Sequence, residues 1–120
     1  MSDVNMFVED GEETIVTLLA AIDTWYVAYG TDSTEAIKAD VALIAESADA
    51  RGLCTSTNVD PDVAAFVGSI TAGSGQTIKE LGLLTANVAG TLIARGNKAA
   101  GWAVMLTGDI MQITCTIALS

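Results

Sequence analysis

A mainly β fold, a small antiparallel β-sandwich or barrel with one short N-terminal helix, is what this sequence predicts. Three observations carry the expectation. Within Gln76 to Arg95, two apolar runs flank Ala86-Asn87-Val88-Ala89-Gly90, small residues suited to reversing the chain, so the stretch reads as a β-hairpin. Near the end, Met111, Ile113, Cys115, Ile117 and Leu119 alternate with Gln112, Thr114, Thr116 and Ala118, the period-two pattern of a strand with one apolar face. Elsewhere turn-forming clusters cut the chain into short segments: Ala72-Gly73-Ser74-Gly75, Gly96 to Gly101 and Thr107-Gly108-Asp109.

Taken in order, Met1 to Glu9 carry little pattern. Met6, Phe7 and Val8 are their apolar exception, a candidate subunit-contact arm at the end of residues 1–120, which otherwise read as one domain. Asp10 and Glu13 have capping-box spacing. Ile15, Leu18, Leu19 and Ile22 then recur at helical spacing, which predicts a helix from about Glu12 to Ile22. Trp25 to Tyr29 is rich in strand formers and stops at Gly30. From Lys38 to Ala50, Val41, Ile44, Ala45 and Ala48 fit one helical face, but small residues and Asp dilute the signal. A short helix and an ordered loop wrapping the sheet fit that stretch equally. Short strands are expected at Leu53 to Thr57, Val63 to Thr71 and Trp102 to Leu106, with Pro61 marking a turn between the first two.

The chain has 120 residues, 51% of them hydrophobic but only 5% aromatic, so its core must be built mostly from Ala, Val, Ile and Leu. A small domain this apolar leaves apolar surface over, which points to association with another chain. A net charge of −10, with five basic residues and no histidine, disfavours nucleic acid and anionic membranes alike. No signal peptide or membrane-length apolar run is visible, so synthesis in the cytoplasm without export is expected. Cys54 and Cys115 lack metal-ligand spacing and read as buried free thiols.

Catalytic signals are weak. Absence of histidine removes histidine-dependent acid–base and metal chemistry. Gly73-Ser74-Gly75-Gln76 lacks the lysine of a phosphate loop and reads as a turn. Asp60, Asp62 and the acids from Glu9 to Glu13 do not match a calcium loop, and a solvated acidic edge explains them. Neither a cofactor nor a metal is expected, and the chain is not expected to be an enzyme. One polar pair has positional logic. Folding the hairpin about its loop sets Glu80 opposite Arg95, one of two arginines, as a structural cross-strand ion pair. An intersubunit clamp is the functional alternative.

Several segments together resemble a known family. They are Tyr26-Val27-Ala28-Tyr29-Gly30-Thr31; Asp40-Val41-Ala42-Leu43 with Glu46 and Arg51; Glu80-Leu81-Gly82-Leu83-Leu84; and Gly90-Thr91-Leu92-Ile93-Ala94-Arg95, followed by the alternating strand. Their order, from about Trp25 to Ser120, is similar to that of small tailed-bacteriophage virion structural proteins of tail-fibre-like or capsid decoration type, with a "YVALGTG", "E-x-GLF" and "GG-x-L-x-AR" pattern. Leu84 stands where an aromatic is usual, Ala89 replaces the first of two glycines, and Lys98 only loosely represents the usual basic residue. The resemblance implies a non-enzymatic virion protein, made in the host cytoplasm. It favours a capsid decoration (cement) protein bridging capsid subunits, with a tail or baseplate fibre adaptor as the alternative. Its implied partners are further copies of itself, as a trimer, and the major capsid protein or tail proteins, with neither nucleic acid nor membrane.

Overall fold

A computed structural model of the chain describes residues 9–21, 24–60 and 63–118, with side chains in the first helix from residue 14 onward. The proposed arm residues Met6, Phe7 and Val8 lie outside the described residues. Among the described residues one helix, α1 (Glu9–Ala21), precedes nine strands: β1 (Tyr26–Gly30), β2 (Gly52–Leu53), β3 (Thr55–Asp60), β4 (Val63–Thr71), β5 (Gln76–Ile78), β6 (Glu80–Leu84), β7 (Leu92–Asn97), β8 (Ala103–Met105) and β9 (Ile110–Ala118). All strand pairs are antiparallel, so the mainly β class and the sandwich architecture are those the alternation and turns predict.

Two layers enclose the core. One is the sheet β2-β1-β6-β7; the other is β3-β4-β9. The small pair β5-β8 continues the first layer, because β5 runs into β6 across Lys79. There the Lys79 N–H donates to Gly30 O at 2.9 Å, and the Lys98 N–H donates to Lys79 O at 2.9 Å. Side chains alternate as a pleated strand requires. Val27, Tyr29 and Leu83 from the first layer meet Ala64, Phe66, Ile70 and Ile113 from the second. Burying a Phe, Leu, Ile or Val fully contributes about 1.5–3 kcal/mol each. Trp25 packs on Phe66 in a tilted pair with centroids 5.4 Å apart, which adds roughly 0.5–1.5 kcal/mol.

The helix begins three residues before the expected Glu12, so Asp10 lies inside its first turn rather than at its cap. The buried face is also rotated from expectation. Val16 is fully buried among Trp25, Ala64 and Phe66, whereas Leu18 is 64% exposed. At the helix end the Trp25 indole N–H donates to Leu19 O at 3.1 Å, satisfying one of the carbonyls the last turn leaves open.

The hairpin forms, but its register differs from the symmetric folding. Glu80 stands opposite Asn97, and Arg95 opposite Gly82. An irregularity at Leu83/Leu84 leaves Ile93 as an extra residue on β7, and the five-residue loop is closed by Thr85 N–H to Thr91 O at 3.1 Å. Arg95 is therefore diagonal to Glu80 on the same face.

That face is the outer one of the first layer, and the stretch from Thr31 to Arg51 covers it. Of the two readings of Lys38 to Ala50, the wrapping loop is the one found; apart from a single antiparallel bridge, Gly30 to Glu46, it has no regular structure. Leu43 from this loop joins Ala28 and Leu84 in a second small core, with Leu92 packed alongside. β1 is thereby buried on both faces. Gly30 is required beneath the loop, since a Cβ there would collide with Ala45 O and the Glu80 carboxylate.

Candidate functional site

A loop without regular structure must find partners for its backbone groups, and here they come from side chains. Glu80, at the start of β6, is fully buried under the loop. Its Oε1 accepts from the Ile44 N–H at 2.9 Å and from Arg95 Nε at 3.0 Å. Its Oε2 accepts from the Ala45 N–H at 2.7 Å and the Asp32 N–H at 3.3 Å. Arg95, its side chain 2% exposed, reaches on from Nη1 to Asp40 Oδ2 at 3.3 Å. Asp40 in turn accepts from the Ile37 N–H at 2.9 Å. Asn97 finishes this side of the clasp, accepting from the Ala36 N–H at 2.9 Å and donating to Ser33 O at 3.2 Å. Sequence reasoning singled out Glu80 and Arg95; the structure brings them together, and adds Asp40 and three loop amides to the pair.

The other end of the loop is held by the second arginine. Arg51 forks onto Glu46, with Nε to Oε2 at 2.8 Å and Nη2 to Oε1 at 2.9 Å, the planar bidentate geometry that guanidinium supplies. Its Nη1 donates to Ala86 O at 2.9 Å and Ala89 O at 2.7 Å, tying the loop to the tip of the β6–β7 hairpin. Glu46 holds the Arg51 guanidinium above its ordinary pKa, against the lowering effect of burial.

Sequence reasoning assigned Tyr29 to strand packing and missed its polar end. The Tyr29 hydroxyl donates to Asp49 Oδ2 at 2.6 Å, Gln76 Nε2 donates to the same oxygen at 2.8 Å, and the Gly73 N–H donates to Oδ1 at 2.9 Å. Burial pushes the Tyr29 phenol well up, and the neighbouring carboxylate adds to the shift. Burial alone would raise Asp49, but hydrogen bonds from Tyr29, Gly73, Gln76 and Ser47 outweigh it and hold the carboxyl below its ordinary range. A tyrosine in an otherwise apolar strand, with an acid in an adjoining loop, was the available signal.

Two shallow clefts border these clasps. One, about 460 Å³, lies between Tyr26, Glu46, Asp49, Arg51, Leu53 and the hairpin tip; the other, about 410 Å³, lies along Ile37, Lys38, Asp40 and Ile93 to Arg95. The carboxylates they contain are already engaged by arginine or by several donors, so the arrangement is suited to holding a loop rather than moving protons. Among the described residues, no group of three or more His, Cys, Asp or Glu is placed to hold a metal ion. Cys54 is buried and Cys115 half-buried, both free; burial pushes the Cys54 thiol up to about 11 and raises Cys115 as well. Among the described residues no helix is long and apolar enough to cross a membrane. Compared with known families and curated sequences, the chain matches no family model and no curated protein with significant similarity.

Proposed function

We propose that the chain is a non-enzymatic structural component of a virion, a capsid decoration protein that bridges capsid subunits as a homo-oligomer. One observation carries this reading: the polar groups with defined geometry fasten the protein to itself, while large apolar side chains stand outside. Val41 is 84% exposed, with Ile37 and Ile44 beside it in sequence on the wrapping loop. Trp102, Val104, Leu106 and Ile110 form a second run around β8 and the turn into β9, with Val104 71% exposed. Apolar surface on a small acidic chain suits docking against other protein subunits. The acidic charge keeps the free chain soluble and works against nucleic acid. On a particle with repeated sites, many individually weak contacts add through avidity.

The test is to image purified virions with a label attached to this chain. Label distributed over the capsid lattice is the expected result. Label confined to the tail or baseplate would favour a fibre adaptor, and unlabelled particles would overturn the virion reading.

A further inference from the structure

Strand edges are places where another chain can pair, and folded proteins blunt them with charge, proline, bulges or shortness. Among the described residues, the other sheet edges carry such devices. β2 has two residues and β8 three; β3 has an irregularity at Asn58/Asp60 and ends in Asp60; β7 carries the extra Ile93 and Arg95. β9 has none. It runs nine residues, pairs with β4 on one side through nine partners without a register shift, and contains no charged residue, glycine or proline. Its core-facing side is also incompletely covered. Ile113 is buried, but Met111, Cys115 and Ile117 are only half-buried. Beside them an apolar cavity of about 240 Å³, lined by Leu81, Leu83, Ala94, Ile113 and Cys115, lies between β9 and the first layer.

We propose that this edge is where the protein self-associates: β9 pairs antiparallel with β9 of a second copy about a twofold axis at Thr114. A second copy fits for two reasons. In a chain of net charge −10, β9 is an uncharged strand, so two copies meet there without setting like charges across the junction. The strand is also self-complementary about Thr114. Ile113 then faces Cys115 and Met111 faces Ile117 on the core side, while Gln112 faces Thr116 on the outer side, and all nine residues overlap. Pairing satisfies a backbone edge that no other described strand covers and joins the two three-stranded sheets into one of six strands. Such an interface is isologous and closes at two copies, in contrast to the trimer that the resemblance implies. It does not depend on the virion reading.

Light scattering on the eluting peak, with Thr114 variants, tests it. Wild type should have twice the 12.3 kDa chain mass. Thr114 is exposed, and Thr114→Lys or Thr114→Glu places like charges directly across the axis, so each variant should fall to the mass of one chain. An equimolar mixture of the two should recover the doubled mass. If either variant lowers the melting temperature markedly, Gln112→Lys with Thr116→Glu replaces it and should keep the dimer, whereas Gln112→Lys with Thr116→Lys should lose it. A wild type of one or three chains, a dimer indifferent to these charges, or a mixture that fails to recover it would overturn the proposal.

Discussion

Replacing Glu80 by glutamine tests how much of the fold depends on one buried carboxylate. The side chain keeps its size, so packing is held nearly constant. Each carboxylate oxygen now accepts two N–H groups: Ile44 and Arg95 on one, Ala45 and Asp32 on the other. Whichever way a glutamine amide turns, its NH₂ meets two donors, and those two bonds are lost. Hydrogen bonds to a charged group contribute about 1.5–3 kcal/mol each. Removing one partner of a buried ion pair costs about 3–5 kcal/mol in total, and the two figures describe overlapping losses. Asp40 stays beside Arg95 and keeps its charge compensated, so about 3–5 kcal/mol is the expected destabilisation. That is a large share of the ~5–15 kcal/mol available to a typical domain. Urea unfolding followed by fluorescence of the buried Trp25 measures it, and hydrogen exchange at the Ile44 and Ala45 amides should quicken with it. Arg95→Ala should destabilise comparably, against a change within about 0.5 kcal/mol for the exposed Lys38→Ala. A loss below about 1 kcal/mol for Glu80→Gln, or equal effects at Arg95 and Lys38, would mean that the buried pair does not hold the loop.

Other consequences follow from the same geometry. Ala89 has φ 55°, where a residue with a Cβ is strained by about 1–2 kcal/mol; after glycine's entropy penalty, Ala89→Gly should stabilise by about 0.5–1 kcal/mol. A lower melting temperature would contradict this. The adjacent Gly90, φ 76°, should not tolerate alanine. Arg51→Ala removes the fork to Glu46 and two hairpin carbonyl contacts, and should cost about 1–3 kcal/mol while NMR order parameters fall over residues 86–90; unchanged order would mean that Thr85 and Thr91 suffice to hold the tip. For pH, the Tyr29–Asp49 pair contributes at both limbs. Asp49, with its lowered pKa, contributes stability that is full above the ordinary carboxylate range and lost as pH falls through its folded value. Tyr29, with its raised pKa, contributes stability that is full below about pH 10 and lost as pH rises beyond. Tyr29→Phe should therefore flatten the alkaline decline of the melting temperature, and an unaltered decline would place its cause elsewhere.

What the sequence disclosed divides along physical lines. β9 was legible because Gln112, Thr114 and Thr116 face solvent and mark its period, and β4 because turn residues bound it on both sides. The wrapping loop was legible only as one of two equal readings, since its amides bond to Glu80, Asn97 and the edge of β1, which local pattern does not reveal. The register differs by two residues: folding about Val88 already sets Glu80 opposite Gly96, and the extra Ile93 on β7, which leaves no mark in the residue types, adds the second. Pairing of Glu80 with Arg95 could be foreseen from the scarcity of arginine and their place in one hairpin. The depth of the pair's burial could not, because it is the loop that covers it. Arg51 and Asp49 act across 35 and 20 residues of chain respectively, distances at which local pattern says nothing.

A protein that bridges capsid subunits, as proposed, occupies a site repeated over the whole particle. Quantifying the chain against the major capsid protein in purified virions counts those sites. Hundreds of copies per particle, in fixed proportion to the capsid protein, are expected. A few copies, or none, would contradict the proposal.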